Sequence, residues 1–293
     1  RELHVWTGKT FTPAGAVTIS STGTQAGVAG DLHIAASSTL SMGTNALSVG
    51  GDYTNSGTFS KSTGQTTTFT GTTTGFGITP GTGNFDSVTF NGSGGGWSFG
   101  SAVILDVDLT VTAGTLSGTN NITINGGDVT GNGTINLTGG TFTLTGTGNF
   151  GGTTAWTFSS LNFGAGAAGT TTAGSSGGMT ASGVLTIATS QTLDAGSLIW
   201  TLSGTSGTPF VKTGTITAST STVSYTGNNT GGNTTITTAT YNNLTLNNSS
   251  ETYVLAAATT VSGTVTITAG TLDTVSGQNY GLTVGGSFSN AGT

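Results

Sequence analysis

The sequence lacks cysteine and is poor in charged residues. With no Cys in 293 residues, disulfides are excluded. Charged residues make up 5% of the chain, against about 25% in an average globular protein. Four basic residues against ten acidic ones give a net charge of −6. So few Lys and Arg argue against nucleic-acid binding, which depends on many phosphate contacts, and against a polybasic site for a membrane surface.

Long apolar runs and helical patterns are missing too. No apolar run approaches the ~20 residues of a membrane-spanning helix, so we expect no membrane insertion. Gly (53 residues) and β-branched residues occur throughout, without a sustained 3.6-residue period. The sequence has instead short alternating runs, such as LTVT, ITIN and LTLN, with apolar residues on one face and Thr or Asn on the other. This period of two predicts half-buried strands, and the Gly and Asn between the runs predict turns.

Internal repeats favour one all-β architecture over the others. DLTVTAGTL (residues 108–116) returns as TVTITAGTL (264–272), and YNNLTLNNSS resembles both FDSVTFNGSG and FSSLNFGAGA, which ends at Ala167. An aromatic residue or Leu followed by Thr-Gly closes each of the first three units. Cutting after these glycines gives the units 9–71, 72–146, 147–227 and 228–293. Because hairpin signals are few and the repeat is long, we predict one parallel β-helix (β-solenoid) of about four degenerate repeats over residues 1–293, rather than a β-sandwich.

The two ends of the sequence are predicted to complement each other. The last unit stops at SNAGT without its aromatic-Thr-Gly strand, and the opening LHVWTG matches that strand. We therefore expect a strand equivalent to residues 1–8 to complete the unit 228–293, with the start of one copy completing the last coil of the next. With no initiating Met and no signal-peptide pattern, the chain is expected to be a processed product or a piece of a longer one. The residues predicted to mediate self-assembly are Leu3, Val5, Trp6, Leu282, Val284 and Phe288.

The repeats resemble a known family. The pattern aromatic-x-x-LTLN, TVxGTLTITAGTL, LTVGGxFxNxGTF and TFTG is similar to that of the β-strand-repeat proteins of bacterial cell surfaces, which are in the style of autotransporter passenger domains and filamentous adhesins. The resemblance covers nearly the whole chain. It implies an extracellular or cell-surface location and a structural or adhesive role, and it implies no catalytic residues.

Candidate catalytic and metal-binding residues are sparse. Asp106 and Asp108, in LDVDLT, are the one close acidic pair, and their spacing predicts a shared strand face. Such a pair could serve a glycosidase or bind Ca²⁺, but a solvated strand face is the favoured interpretation. His4 and His33 are two residues far apart in sequence, so we predict polar strand positions rather than a metal site. We predict no enzyme activity and no cofactor.

Two surface features suggest further possibilities. Outward Thr residues such as Thr110, Thr123 and Thr266 could form the ranks of an ice-binding surface, although the runs are not uniform along the sequence. Aromatic residues could line a groove for cell-surface glycans, although their strand positions favour the core. The favoured function is a structural subunit of an extracellular filament that assembles head-to-tail with itself. The alternatives are a fragment of a large cell-surface adhesin and, less favoured, an ice-binding or polysaccharide-active solenoid.

Overall fold

A computed structural model describes residues 2–21, 30–164, 168–275 and 277–293. Arg1 of the predicted terminal strand and the end of FSSLNFGAGA lie outside these residues. The described residues form strands and turns, without a helix, in about 12 turns of a parallel β-solenoid. No helix in them is therefore long and apolar enough to cross a membrane. The predicted fold class is confirmed. Two compact units, Arg1–Gly140 and Thr141–Thr293, are described in turn.

The first unit contains sixteen strands among its described residues. They are β1 (Leu3–Val5), β2 (Thr10–Phe11), β3 (Val17–Ile19), β4 (Leu32–Ile34), β5 (Thr39–Gly43), β6 (Leu47–Val49), β7 (Tyr53–Asn55), β8 (Thr58–Lys61), β9 (Thr66–Phe69), β10 (Phe76–Thr79), β11 (Ser87–Phe99), β12 (Val103–Leu105), β13 (Leu109–Gly118), β14 (Ile122–Asn125), β15 (Val129–Gly131) and β16 (Thr134–Leu137).

These strands stack in parallel columns, with one strand of each column contributed by each coil. Strands β1, β4, β7 and β10 form the first column, which continues through the second halves of β11 and β13 to β16. Strands β3, β6 and β9 form another, which continues through the first halves of β11 and β13 to β15. Strands β2, β5 and β8 form a separate column, and β12 pairs with β14 in another sheet.

The second unit contains the strands β17 (Thr141–Thr145), β18 (Gly148–Gly152), β19 (Trp156–Phe158), β20 (Ser160–Phe163), β21 (Gly169–Ala173), β22 (Met179–Ala181), β23 (Leu185–Ile187), β24 (Gln191–Asp194), β25 (Ile199–Leu202), β26 (Phe210–Lys212), β27 (Thr215–Thr217), β28 (Thr222–Tyr225), β29 (Thr234–Ile236), β30 (Thr240–Tyr241), β31 (Asn243–Leu255), β32 (Thr259–Val261), β33 (Val265–Asp273), β34 (Leu282–Val284) and β35 (Phe288–Asn290). Its strands also pair in parallel. One column runs β19, β22, β25 and β28, then through the first halves of β31 and β33 to β35.

Alternation along each strand builds the core. In Leu109-Thr110-Val111 the two apolar residues are buried and Thr110 faces outward, half-buried. The same alternation in the paired strands places apolar side chains of successive coils on top of one another. In the first unit Tyr53, Phe69 and Phe85 form an aromatic cluster with ring centroids 5.3 to 6.3 Å apart. The core is therefore a continuous stack of rows within each unit, since each coil covers the apolar residues of the one before it.

The sequence repeats correspond to coils only in part. The first two strands of a predicted repeat are direct neighbours: Val88 pairs with Leu109, and Leu244 pairs with Val265. In the first unit, however, LHVWTG and the strand that ends in Phe69-Thr70-Gly71 lie in different columns. Val5 belongs to the column of β1, whereas Phe69 belongs to the column of β9. Every side of a coil needs the same strand-and-turn chemistry, so similar motifs occur on different sides.

Candidate functional site

Among the described residues of the first unit, the first coil presents an end of the apolar rows that no further strand covers. Leu3 and Val17 are half-buried and Phe11 is 38% exposed. Their partners one coil further in, Leu32, Leu47 and Leu40, are all buried. A cavity of about 500 Å³ opens beside Leu3, Phe11, Val17 and Ile19. Edge backbone and apolar side chains together make this a surface on which another parallel coil can stack.

The last coil of the second unit ends in the same way. Val284 is half-buried on Val261, and Phe288 is 53% exposed on the buried Val265. Strand β35 is exposed along its whole length. The backbone N–H of Thr293 donates to the carbonyl of Gly270, so the chain has already returned to the column of the second half of β33.

The six predicted assembly residues differ in their placement. Leu3, Leu282, Val284 and Phe288 are half-buried or exposed at uncovered ends of rows. Val5 is already buried at 3% exposure, so it has little surface left to offer. Trp6 is 68% exposed and stacks on His4, at 4.1 Å between ring centroids, so it does not continue the apolar row of its neighbour Val5.

The predicted acidic pair lies in a turn and not on one strand face. Asp106 and Asp108 follow the end of β12, because the chain turns a corner before β13. Asp108 Oδ1 accepts a hydrogen bond from the backbone N–H of Asp128, 2.7 Å away in the next coil. Asp106 accepts from Asn84 at 2.8 Å and pairs with Lys61. Both carboxylates thus serve contacts between coils.

Lys61 is the centre of this corner. Its Nζ contacts Asp106 and lies 3.5 Å from Asp86, whose carboxylate also accepts from the backbone N–H of Gly64 at 2.7 Å. Burial alone would raise the pKa of Asp106, but the hydrogen bonds from Lys61 and Asn84 and the positive charge of Lys61 outweigh it and hold the pKa below its ordinary value. This arrangement stabilises the ionised carboxylate of Asp106, which is typical of a structural ion pair.

The outward Thr positions form regular rows once the coils are stacked. In the first unit one row contains Thr18, Ser48, Thr68, Thr89, Thr110 and Thr130. In the second unit another contains Thr157, Thr180, Thr201, Ser224, Thr245, Thr266 and Ser289. Thr itself is not uniform in these rows, but every position carries a hydroxyl, a regularity that coils of unequal length hide in the sequence. Each row repeats a hydroxyl at the ~4.8 Å inter-strand spacing.

The aromatic residues considered for a glycan groove lie mostly in the core. Trp97, Trp156, Trp200, Phe90, Phe163 and Tyr225 are all buried. Trp6 is the exception. It belongs with a group that the sequence did not reveal: His4 and His33 are partners in the β1–β4 register, with ring centroids 4.3 Å apart. Only the pairing of strands from successive coils reveals this contact. The sequence does not predict that pairing, because coil length varies.

Neither the family models nor the curated proteins nor the solved structures that were compared match this chain. The parallel coils support the resemblance to bacterial surface repeats at the level of the β-solenoid.

Proposed function

We propose that this protein is a structural subunit of an extracellular filament, in which solenoids join head-to-tail by stacking the last coil of one copy on the first coil of the next. The observation that carries the proposal is the pair of uncovered apolar ends, with Leu3, Phe11 and Val17 at one and Val284 and Phe288 at the other. Two different surfaces meet in such a contact, so it is heterologous and does not close on itself.

The strand order supports this contact. In the first unit each coil begins in the column of β1, and in the second unit Thr293 returns the backbone to the second half of β33. The second halves of β33 and β31 pair in the same register as the second halves of β13 and β11. The second halves of β11 and β13 belong to the column of β1. Strand β1 of another copy can therefore pair in the column to which Thr293 returns the backbone. This pairing differs from the one that the Thr-Gly motif predicts.

The test uses one variant blocked at each end. Leu3→Asp places a charge in the first apolar row, and Phe288→Asp does so in the last, while each leaves the opposite end intact. Wild-type chains should form polymers that lengthen with concentration, seen by sedimentation and electron microscopy. Each variant alone should remain at 28.5 kDa. An equimolar mixture should give one-to-one dimers and nothing larger, because it offers a single competent junction.

The matched control is Ile199→Asp, which changes a side chain that is 54% exposed away from the uncovered ends. It should polymerise as the wild type does. A wild-type chain that stays monomeric up to millimolar concentration would refute the filament and favour the fragment of a longer adhesin. Polymers from both blocked variants would refute these ends as the contact.

The Thr/Ser rows favour a second candidate function, ice binding. A flat sheet that repeats hydroxyl donors and acceptors at one spacing can order water against it. Thr110→Lys and Thr266→Lys interrupt one row each, whereas Thr123→Lys changes an outward Thr outside both rows. Inhibition of ice recrystallisation should fall in the first two variants and persist in the third. Equal inhibition in all three, or none in the wild type, would exclude this function.

A further inference from the structure

The outward face of the first coil brings together a carboxylate and two imidazoles. Nδ1 of His4 lies 3.4 Å from Oε1 of Glu2, and the His4 and His33 rings are 4.3 Å apart between centroids. One ligand atom from each of the three residues lies within 4.8 Å of the other two. Within the part of the chain that the structure describes, this is the one group of three or more potential metal ligands with that property.

These distances fit a transition-metal ion. Two ligands at about 2.1 Å from a tetrahedral ion are roughly 3.4 Å from each other, which is the separation of His4 and Glu2. The ligand atom of His33 lies within 4.8 Å of both, so His33 must move closer to complete the site. Two imidazoles and one carboxylate are a donor set for Zn²⁺ and its neighbours Ni²⁺ and Cu²⁺, and they leave a fourth position for water.

We propose that Glu2, His4 and His33 bind one divalent transition-metal ion on the outer face of the first coil. Two of the ligands lie in or beside β1 and the third lies in β4, so the ion would cross-link the first coil to the second. An ion that binds the folded chain and not the unfolded chain would stabilise that coil by mass action. This inference is independent of filament assembly.

The surroundings favour a cation. The Trp6 ring stacks on His4 with an interplanar angle of 13°, which fixes the imidazole on one side. Asp31 and Asp52 follow Glu2 along the face, where Asp31 accepts from the backbone N–H of Asp52 at 2.8 Å. These carboxylates add negative charge beside the ligands, which favours a divalent cation.

The test is calorimetric titration of Zn²⁺ into the metal-stripped full chain. We expect one ion per chain, and no heat with Ca²⁺ or Mg²⁺, because nitrogen ligands suit neither. His4→Ala and His33→Thr should each lower the Zn²⁺ affinity at least ~100-fold, and Glu2→Gln at least tenfold. His33→Thr introduces the residue that the next coil carries in the same row, Thr54, so it should fold.

Two further readouts separate this site from adventitious binding. Ni²⁺ should quench the fluorescence of Trp6, since the other three Trp residues are buried, and Trp6→Phe should abolish the quenching while keeping the Zn²⁺ heat. Thr54→Ala, the control in the same row, should bind as the wild type does. Unchanged Zn²⁺ binding in the His4→Ala/His33→Thr double variant would overturn the proposal. So would single variants that each lose only half of the stoichiometry, which would indicate two independent histidines.

Discussion

Residues 85–118 and 241–274 are two versions of the same pair of coils, one in each unit. Residue n of the first corresponds to residue n + 156 of the second throughout, without a gap. Strands β11 and β31 are both 13 residues long, with nearly identical burial patterns. Their pairings with β13 and β33 shift register at corresponding points, after Phe90 and after Leu246. Residues that both copies share are required by the backbone of the coil. Residues that differ between the copies can be exchanged without changing the strand register.

The shared element is a glycine opposite the register shift. Gly114 and Gly270 have φ of +82° and +96°, a left-handed conformation that side chains rarely adopt. A Cβ on Gly114 would lie 2.6 Å from the carbonyl oxygen of Gly95, and a Cβ on Gly270 would lie 2.5 Å from that of Asn248. Both copies therefore need glycine for the backbone to pass.

The replaced elements are a large ring and a buried acid. Trp97 fills the first copy, and a Cβ on Gly95 would lie 2.4 Å from its ring. The second copy has the smaller Tyr253, which donates to the carbonyl of Tyr225 at 3.1 Å, and Glu251 in place of Gly95. The Glu251 carboxylate accepts from the backbone N–H groups of Asn229 and Thr234 at 2.6 and 2.9 Å. Volume and polar partners are thus exchanged together, while the strand register is kept.

The largest expected effect removes what both copies share. Gly114→Ala and Gly270→Ala should each destabilise the fold by about 3 kcal/mol, from the strained φ and the backbone clash together. Denaturant midpoints would measure the loss. Gly64→Ala is the control, because its φ is +90° but nothing lies within 4 Å of its Cβ, so it should cost only about 1 kcal/mol. Equal costs at all three positions would mean that the close approach is unimportant.

Removing the buried acid of the second copy should come next. Glu251→Ala leaves two backbone N–H groups without their acceptor, and we expect a loss of about 2–3 kcal/mol. Glu251→Gln keeps one acceptor oxygen and should cost about 1 kcal/mol. Chemical denaturation provides both values. Ser250→Ala changes the exposed neighbour and should be neutral, and a neutral Glu251→Ala would show that the turn at 228–233 satisfies itself.

The ion pair at the corner of the first copy should follow. Lys61→Met leaves the buried Asp86 without its counter-ion, and we expect a loss of about 2 kcal/mol, discounted for partial exposure. The second copy has Asn242 in place of Asp86. The double variant Lys61→Met/Asp86→Asn adopts that solution at position 86 and should recover, in the same denaturation experiment, the part of the loss that comes from Asp86. No recovery would mean that Lys61 acts through packing.

The smallest effect is the pH dependence of the same corner. The pKa of folded Asp106 is below its ordinary value, so its ionised form favours folding. This contribution is present above the ordinary carboxyl pKa of 3.8 and is lost as the pH falls through the folded value. Asp106→Asn should therefore reduce the stability difference between pH 7 and pH 3. A variant with an unchanged acid limb in its thermal unfolding curve would contradict this.

The sequence was sufficient for the fold class and for this duplicated pair of coils. Alternation gave the strands, and the recurrence of TAGTL marked Gly114 and Gly270 as equivalent. It did not predict which residues of successive coils stack on each other, because that depends on coil length. Leu32 stacks on Leu3 after 29 residues, but Leu116 stacks on Trp97 after 19. Because turn length varies, neither the His4–His33 contact nor the Thr rows follow from spacing, and the Thr-Gly motif does not mark a single column.

The alternation of side chains along each strand also limits which changes of length the sequence can accept. One residue inserted within a strand would turn every following side chain to the opposite face. The two copies have diverged by many substitutions, yet no insertion or deletion has entered their 34 paired positions. The turns beside them differ freely: two extra residues separate Tyr225 from Thr234 compared with Phe69 and Phe76, and four extra separate Leu272 from Leu282 compared with Leu116 and Ile122. Evolution of this chain should therefore be recorded as substitutions in its strands and as length changes in its corners.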